Sequence, residues 1–247
     1  MGEIILNILL LHTGTPCECF IATSLIKALH KKYNPTISLL IESKESISIF
    51  NHNPFIKKIY TLNSPGDISS HYYDKIINLS PNIEPQFLLE IKGEESLGFG
   101  YDPKSKYFYD ILYGDISSTK SIFQIYFRIA GLRWKGEGYS LGYKPKSKNK
   151  PKTSGVAIAN ANLRNFIINK LNLDQSKLWN IPYKVNLFRK IDEINRCPHI
   201  ITDDFFTLNI ALYLRKNVYF LKTIPINTRI ELFGKGKVFE VPRNLVL

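Results

Sequence analysis

The 247-residue chain has few cysteines, few acidic residues and no long apolar run, and each shortage excludes a class of protein. Its three cysteines, Cys17, Cys19 and Cys197, lack the spacing of a disulfide framework and predict reduced thiols in a cytoplasmic protein. No further His or Cys pair completes a site with Cys17 and Cys19, so no metal ion is expected. No apolar run reaches the roughly 18 residues of a membrane span, and an N-terminus containing the acidic Glu3 does not fit a signal peptide.

The shortage of acidic residues leaves a strongly basic chain. Lys and Arg number 33 against 21 Asp and Glu, which gives a net charge of +12. Such a charge favours anionic partners, namely phosphate-bearing substrates, an anionic membrane surface or nucleic acid, although a Lys-rich solvated surface explains part of the excess. The densest basic run, residues 144–152, contains no interleaved aromatic residue that could stack on bases. Nucleic acid is therefore an unfavoured partner, and the run is interpreted as a solvated linker between domains.

The pattern of a strand followed by a helix is clearest near the N-terminus. An apolar run, residues 4–11, is typical of a strand buried in a parallel sheet. Turn-forming residues follow, and apolar residues then recur at helical spacing up to Leu29. Ligands of such units lie at the carboxyl end of the strand, against the helix N-terminus. Glu18, in the first helical turn, is therefore the candidate chemical centre, while the simpler interpretation is an acid that interacts with the helix dipole.

Strand and helix patterns alternate along the remainder of the chain. The predicted strands are residues 36–41, 56–62, 74–79, 96–100, 155–159, 199–202 and 218–221. The predicted helices are residues 42–50, 84–91, 118–130, 186–196 and 205–214. Residues 160–165 are predicted to form a polar loop. This alternation predicts an α/β fold with parallel sheets.

Several segments of the first half resemble one family. Residues 22–29 read Ala-Thr-Ser-Leu-Ile-Lys-Ala-Leu, residues 53–56 Asn-Pro-Phe-Ile, residues 73–79 Tyr-Asp-Lys-Ile-Ile-Asn-Leu and residues 97–99 Leu-Gly-Phe. In this order and spacing they resemble glycosyltransferase family 9, the ADP-heptose:lipopolysaccharide heptosyltransferases. The resemblance covers nearly the whole chain, with the second half abridged and more divergent.

The resemblance implies roles for the segment before and at the start of the first helix. Counting back from the helix without a gap, Glu18 falls on the family's Asp, which is the proposed general base, and His12 falls on an Arg. By this resemblance Glu18 removes the proton of the acceptor hydroxyl. His12, Thr13 and Gly14 are then candidate residues of the loop on the acceptor side.

In the second half, the segment around Asp204 resembles the family's donor-binding segment. Asp204 keeps the family's Asp, Asp203 replaces an Asn, Asn209 replaces a His, and residues 205–206, both Phe, replace a Ser-Gly pair. Together with Arg164 from the preceding polar loop, these residues are the candidate donor site. Two Phe side chains would crowd a diphosphate at a helix N-terminus, and the two Asp residues also fit the ordinary role of helix N-caps.

The sequence and the resemblance together predict a GT-B-like α/β fold, with two Rossmann-like domains whose parallel sheets face each other across a cleft. Residues 1–145 would form the acceptor-side domain, residues 153–247 a shortened nucleotide-sugar domain, and residues 146–152 the linker. The implied reaction is an inverting sugar transfer, independent of metal and cofactor. The donor would be ADP-heptose or a similar nucleotide sugar, and the acceptor an anionic glycolipid of the lipopolysaccharide type. Peripheral contact with the anionic inner face of the membrane is a further expectation.

Two alternatives come from other functional classes. One is a catalytically degenerate binding or scaffold protein on the same fold, which the altered residues 205–206 and Asn209 favour. The other, less favoured, is a nucleic-acid-binding protein that uses the basic surface, whose mark would be a steep salt dependence of binding.

Overall fold

The computed structural model describes residues 5–42, 44–114, 116–146, 153–223, 226, 228–242 and 245. They divide into two compact units. Unit 1 comprises Met1–Tyr143 together with Ile226–Ile230, and unit 2 comprises Lys144–Pro225 together with Glu231–Leu247. Each unit contains one five-stranded sheet. Residues 147–152, most of the predicted linker, lie outside the described residues.

Unit 1 is a parallel sheet with the strand order β3-β2-β1-β4-β5. Its strands are β1 (Asn7–His12), β2 (Thr36–Ile41), β3 (Ile56–Thr61), β4 (Tyr72–Asn78) and β5 (Lys92–Gly98). Its helices are α1 (Pro16–Tyr33), α2 (Lys44–Phe50), α3 (Pro85–Glu90), α4 (Ser105–Leu112) and α5 (Ile122–Ile129). The apolar run of β1 is fully buried from Leu9 to Leu11. The order reverses between β1 and β4, so the ligand crevice of this sheet is expected at their carboxyl ends.

Unit 2 is also a parallel sheet, with the strand order β10-β9-β8-β6-β7. Its elements are β6 (Gly155–Ala157), α6 (Ala161–Lys170), β7 (Trp179–Asn180), α7 (Leu187–Asn195), β8 (His199–Thr202), α8 (Phe205–Tyr213), β9 (Asn217–Lys222) and β10 (Gly236–Glu240). Val156, Ile167, Ile201 and Leu221 belong to one buried apolar cluster of this unit. The order reverses between β6 and β8, which places the crevice of this sheet at their carboxyl ends.

The predicted α/β class with parallel sheets is confirmed. The predicted loop at residues 160–165 is wrong, because the Asn160 side chain accepts the backbone N–H groups of Asn162 and Leu163 and starts α6 there. Sequence patterns also missed α4, β7 and β10. Within the described residues, no helix combines the length and the apolar character that a membrane crossing requires.

Candidate functional site

Glu18 lies at the start of α1, immediately beyond the carboxyl end of β1. Thr15 is the N-cap of this helix and forms a capping box with Glu18. The backbone N–H of Glu18 donates to Thr15 Oγ1 (3.3 Å), while the N–H and the hydroxyl of Thr15 both donate to Glu18 Oε2 (2.7 and 2.8 Å). One carboxylate oxygen is therefore directed back to its own helix, as in the simpler interpretation of a first-turn acid.

The other carboxylate oxygen has a partner far away in sequence. The hydroxyl of Tyr113, which lies just after α4, donates to Glu18 Oε1 at 3.2 Å. Partial burial of the Tyr113 side chain, which remains 42% exposed, and the charge of Glu18 raise the pKa of Tyr113, so its hydroxyl remains a donor. Because each carboxylate oxygen accepts two hydrogen bonds, Oε1 keeps a position for a hydroxyl of a ligand. Sequence reasoning missed Tyr113, and the available signal was its spacing of four residues from Tyr109.

His12 is the last residue of β1 and is fully buried. Its Nδ1 accepts the backbone N–H of Gly14 at 3.0 Å. Burial lowers the pKa of His12 to about 4, in spite of the opposing effect of the Glu18 charge, so the ring is neutral at neutral pH. His12 therefore does not supply the positive charge that the Arg of the resembling family carries. The next residue, Thr13, donates its N–H to the hydroxyl of Ser80, just beyond β4.

Gly14 allows His12 and Glu18 to come close together. A Cβ atom at this position would lie 2.6 Å from His12 Cε1 and 2.7 Å from Glu18 Oε2. Neither contact is compatible with a side chain unless one of the two groups moves. Of the four candidates in unit 1, the structure thus packs His12, Gly14 and Glu18 against one another at the carboxyl edge of the sheet.

In unit 2, Asp204 is the N-cap of α8. It accepts the backbone N–H groups of Phe206 and Thr207, at 3.2 and 3.0 Å, and also the Thr207 hydroxyl. Lys190 Nζ, on α7, lies 3.0 Å from Asp204 Oδ2 and has a side chain only 7% exposed. Burial alone would raise the pKa of Asp204, but Lys190 and the Thr207 hydrogen bonds outweigh it and lower that pKa. Lys190 was missed, although a lysine on the apolar face of a helix is a visible signal.

The neighbours of Asp204 are held by different contacts. The Tyr183 hydroxyl donates to Asp203 Oδ1 at 2.8 Å, and burial raises the pKa of Asp203. Asn209 is buried and donates from Nδ2 to the carbonyl of Phe205 at 2.6 Å. The Phe205 ring contacts Phe220 of β9, with ring centroids 6.0 Å apart.

Arg164 lies inside α6 rather than in a loop. Its backbone N–H donates to the Asn160 carbonyl at 3.0 Å, in the first turn of the helix. Its Nε is buried and has no hydrogen-bond partner among the described residues. Because α6 and α8 begin at the carboxyl ends of the adjacent strands β6 and β8, Arg164 and Asp204 follow neighbouring strands of the same sheet edge.

None of Cys17, Cys19 and Cys197 forms a disulfide bond. In the part of the chain that the structure describes, no group of three or more His, Cys, Asp and Glu residues is placed to hold a metal ion.

No family model and no curated protein matches this chain. Among solved structures, it is similar to a glycosyl transferase family 9 protein from Veillonella parvula, with 12% identity and a TM-score of 0.67 over 96% of this chain and 86% of that chain. It is also similar to E. coli ADP-heptose lipopolysaccharide heptosyltransferase II, with 13% identity and a TM-score of 0.61 over 96% of this chain and 91% of that chain. A third similar structure is E. coli heptosyltransferase WaaC with ADP, with 9% identity and a TM-score of 0.65 over 96% of this chain and 94% of that chain. These likenesses show the fold, and they confirm at the level of fold the resemblance to glycosyltransferase family 9.

Proposed function

We propose that the protein is a glycosyltransferase, which moves a sugar from a nucleotide sugar to a cell-surface glycan. The proposed donor is ADP-heptose or a similar nucleotide sugar, and the proposed acceptor is a glycolipid of the lipopolysaccharide type. The observation that carries the proposal is the Glu18 carboxylate, which is held at the carboxyl edge of the unit 1 sheet with an acceptor position remaining on Oε1. The fold supports it, since solved structures of this fold include heptosyltransferases.

The proposed chemistry is a single displacement. The acceptor hydroxyl oxygen bonds to the anomeric carbon, the bond from that carbon to the diphosphate oxygen breaks, and the nucleoside diphosphate leaves with the electron pair. Glu18 takes the hydroxyl proton, a contribution of roughly 10²–10⁴-fold in rate for a positioned base. Attack from the face opposite the leaving group inverts the anomeric configuration. No metal or cofactor takes part, so positive side chains stabilise the charge of the leaving group.

The donor is proposed to bind at the carboxyl edge of the unit 2 sheet. Arg164 is the proposed diphosphate ligand, since its Nε has no partner among the described residues. The N-terminus of α8 is already neutralised by Asp204, so Asp204 and Asn209 are proposed to hold the start of the helix rather than to contact phosphate. Asp203 is the proposed acceptor for donor hydroxyl groups, because Tyr183 holds the carboxylate through Oδ1 and its second oxygen can accept further hydrogen bonds.

Titration calorimetry with ADP and ADP-heptose tests this donor site. Arg164→Ala is expected to weaken binding about 10–100-fold, the range for a lost hydrogen bond to a charged group of roughly 1.5–3 kcal/mol. Arg189→Ala, at an exposed position of α7, is the matched control and should bind as the unaltered protein does. Equal affinity of the Arg164→Ala variant would remove Arg164 from the site. A parallel assay for sugar transfer to lipopolysaccharide tests the reaction itself.

A binding protein without catalytic activity is the second candidate. It is favoured by the carboxylate of Asp204, which occupies the helix N-terminus where a diphosphate would otherwise bind. Binding of a nucleotide sugar without any release of nucleoside diphosphate would support it over the transferase.

We further propose that unit 1 contacts an anionic membrane surface on the cytoplasmic side, where a lipid-linked acceptor would be presented. Two cavities of about 410 and 480 Å³ share the lining residues Leu132 and Arg133. Six cationic residues line them against one acidic residue, Glu137, and we call these six the basic face: Lys31, Lys32, Lys120, Arg128, Arg133 and Lys135. Such a face attracts anionic lipid by about 1 kcal/mol per cation near the surface.

A further inference from the structure

Exposed aromatic side chains are concentrated on and just after α4. The described residues include nine exposed large hydrophobic side chains, and four of them lie within ten residues of sequence: Tyr107, Tyr109, Tyr113 and Ile116. Single exposed apolar residues are ordinary on a protein surface, whereas a cluster of them marks a place where something binds. This cluster is therefore a candidate binding surface.

Two rings of this cluster, Tyr109 and Tyr113, form a row with the Phe99 ring, and the row ends at Glu18. The Phe99 ring, just beyond β5, meets the Tyr109 ring edge-on with centroids 6.5 Å apart, and the Tyr109 ring lies 5.4 Å from that of Tyr113. The Tyr113 hydroxyl then donates to Glu18 Oε1 at 3.2 Å. Tyr109 and Tyr113 share one side of the chain because they are four residues apart at a helix end. We call Phe99, Tyr109 and Tyr113 the aromatic row.

The end of the aromatic row that is distant from Glu18 forms a wall of a cavity of about 660 Å³. This volume lies within the range of roughly 300–1,000 Å³ that is usual for small-molecule sites. Besides Phe99 and Tyr109, the lining includes the polar side chains of Asn82, Asp102 and Lys106. Aromatic faces beside amide, carboxylate and ammonium groups suit a sugar ring, which offers an apolar C–H face and a rim of hydroxyl groups.

We propose that the aromatic row and this cavity bind the acceptor as a carbohydrate of at least two rings. The reactive hydroxyl of the terminal ring lies at Glu18, against Tyr113, and the preceding ring lies over Tyr109 in the cavity. This inference rests on the proposed function, since it takes Glu18 as the base. Tyr113 is also a positioning residue, because its hydroxyl orients the Glu18 carboxylate.

A lipid surface is the competing occupant of exposed aromatic side chains. The row argues against it, since it ends on a carboxylate and its cavity is bordered by Asn82 and Asp102. Burying such groups in a lipid interface without partners is costly.

Kinetic measurements with a deacylated, dephosphorylated lipopolysaccharide core oligosaccharide as the acceptor test the proposal. Tyr109→Ala should raise the acceptor KM about tenfold and leave kcat nearly unchanged, because it removes one stacking ring and leaves Glu18 in place. Tyr113→Phe keeps the ring and should leave the acceptor KM unchanged, but it should lower kcat and shift its pH profile, because Glu18 loses a hydrogen bond. Tyr72→Ala is the matched control, since Tyr72 is 59% exposed and begins β4 at the opposite edge of the sheet.

Binding of the same oligosaccharide without a donor, followed by saturation-transfer NMR, separates this inference from the proposed function. Signals that are lost in Tyr109→Ala and kept in Tyr72→Ala support the carbohydrate site, even if no donor supports transfer and the proposed function fails. Unchanged KM and unchanged signals in Tyr109→Ala, with transfer intact, would overturn the inference and leave the proposed function standing. Two further results would overturn the inference. One is that the unaltered protein does not bind the oligosaccharide. The other is that Tyr109→Ala loses only its flotation with phosphatidylglycerol vesicles and keeps its oligosaccharide binding.

Discussion

At the scale of single residues, the two oxygens of the Glu18 carboxylate have different partners. Oε2 accepts two hydrogen bonds from Thr15 of its own helix, and Oε1 accepts one from Tyr113 after α4. The capping interpretation and the catalytic interpretation therefore apply to the same side chain without conflict. The cap fixes the position of the carboxylate, and a fixed carboxylate is what a general base requires.

The buried His12 predicts a loss of stability in acid. Its pKa is lowered to about 4 by burial, from an ordinary value of 6.5. The unfolded chain therefore takes up this proton below pH 6.5, while the folded chain takes it up only near pH 4, so stability falls as the pH decreases through this window. By pH 4 the contribution is about 3 kcal/mol. Urea unfolding at pH 7.5 and at pH 4 measures the free energy of unfolding that is lost between them. This loss should be about 3 kcal/mol larger in the unaltered protein than in His12→Asn, which keeps an acceptor for the Gly14 N–H. Equal differences would contradict the assignment of a buried neutral imidazole.

Gly14 predicts a combined effect on stability and on the site. Because a Cβ would lie within 2.7 Å of both His12 Cε1 and Glu18 Oε2, Gly14→Ala should cost about 1–3 kcal/mol of unfolding free energy through overpacking. It should also lower sugar transfer, because the carboxylate is displaced. Gly138→Ala, where a Cβ would meet nothing within 4 Å, is the control for the loss of a glycine. A Gly14→Ala variant with unchanged stability would show that the loop has room for the side chain.

At the scale of secondary-structure elements, α1 and α8 start in similar ways at the ends of β1 and β8. Each start has a carboxylate that accepts backbone N–H groups. In α1 the Glu18 carboxylate, in the first turn, accepts the N–H of Thr15. In α8 the Asp204 carboxylate, at the N-cap, accepts those of Phe206 and Thr207. The difference lies in the neighbouring element. Asp204 is paired with Lys190 of α7, whereas Glu18 meets the neutral Tyr113 and keeps an open acceptor position. Lys190 lowers the pKa of Asp204 and so makes that carboxylate a poorer base, which leaves Glu18 as the better placed of the two to take a proton.

The pair of Lys190 and Asp204 predicts a marked structural effect. Lys190→Met should lower the unfolding free energy by about 3 kcal/mol, because removing one partner leaves a largely buried charge uncompensated. The double variant Lys190→Met with Asp204→Asn should recover part of this loss, since the amide oxygen still caps α8. Lys184→Met, at an exposed position, should stay within about 0.5 kcal/mol. A Lys190→Met variant as stable as the Lys184→Met variant would contradict the role of the pair.

Most elements of the fold follow from local sequence, and those that do not have physical reasons. The strands β2 and β8 and the helix α7 have apolar patterns that a single chain reveals. The helix α4 is amphipathic but has only eight residues, fewer than the roughly 11–18 over which a helical period is read, and β10 is a partly exposed edge strand of five residues. In the candidate site, Glu18 follows from its place after a buried strand, whereas its contact with Tyr113 spans 95 residues of sequence and requires the structure.

At the scale of the whole molecule, the chain consists of two parallel sheets and an excess of positive charge. The net charge of +12 was expected to include an ordinary solvated surface. The structure adds a local feature, because six cations and one acid line two adjoining cavities of unit 1. Charge counts reveal a basic protein, but only the fold brings Lys31 of α1 to the same cavity as Arg133, which lies about 100 residues later in the sequence, with Arg128 lining the adjoining cavity.

The basic face predicts binding to anionic vesicles. The double variant Arg128→Glu with Arg133→Glu should sediment poorly with phosphatidylglycerol vesicles, whereas Lys184→Glu with Lys237→Glu, the same change of net charge at other exposed positions, should sediment as the unaltered protein does. Binding should also weaken as salt rises, because exposed charges are screened beyond roughly 8–10 Å near physiological ionic strength. Equal sedimentation of the two variants would show that overall charge, and not this face, governs the attraction.

The central claim is that Glu18 is the base of a sugar-transfer reaction, and the rate of transfer by Glu18→Gln tests it most directly. Glutamine fits the third position of a capping box as well as glutamate does, so the unfolding free energy should change by less than about 1 kcal/mol. It takes no proton at neutral pH, so transfer should fall by roughly 10²-fold or more. Gln124→Ala, which removes the corresponding side chain from the capping box of α5, should lower stability slightly and leave the rate unchanged. A Glu18→Gln variant that retains most of the transfer rate would show that the carboxylate is a helix cap and not the base.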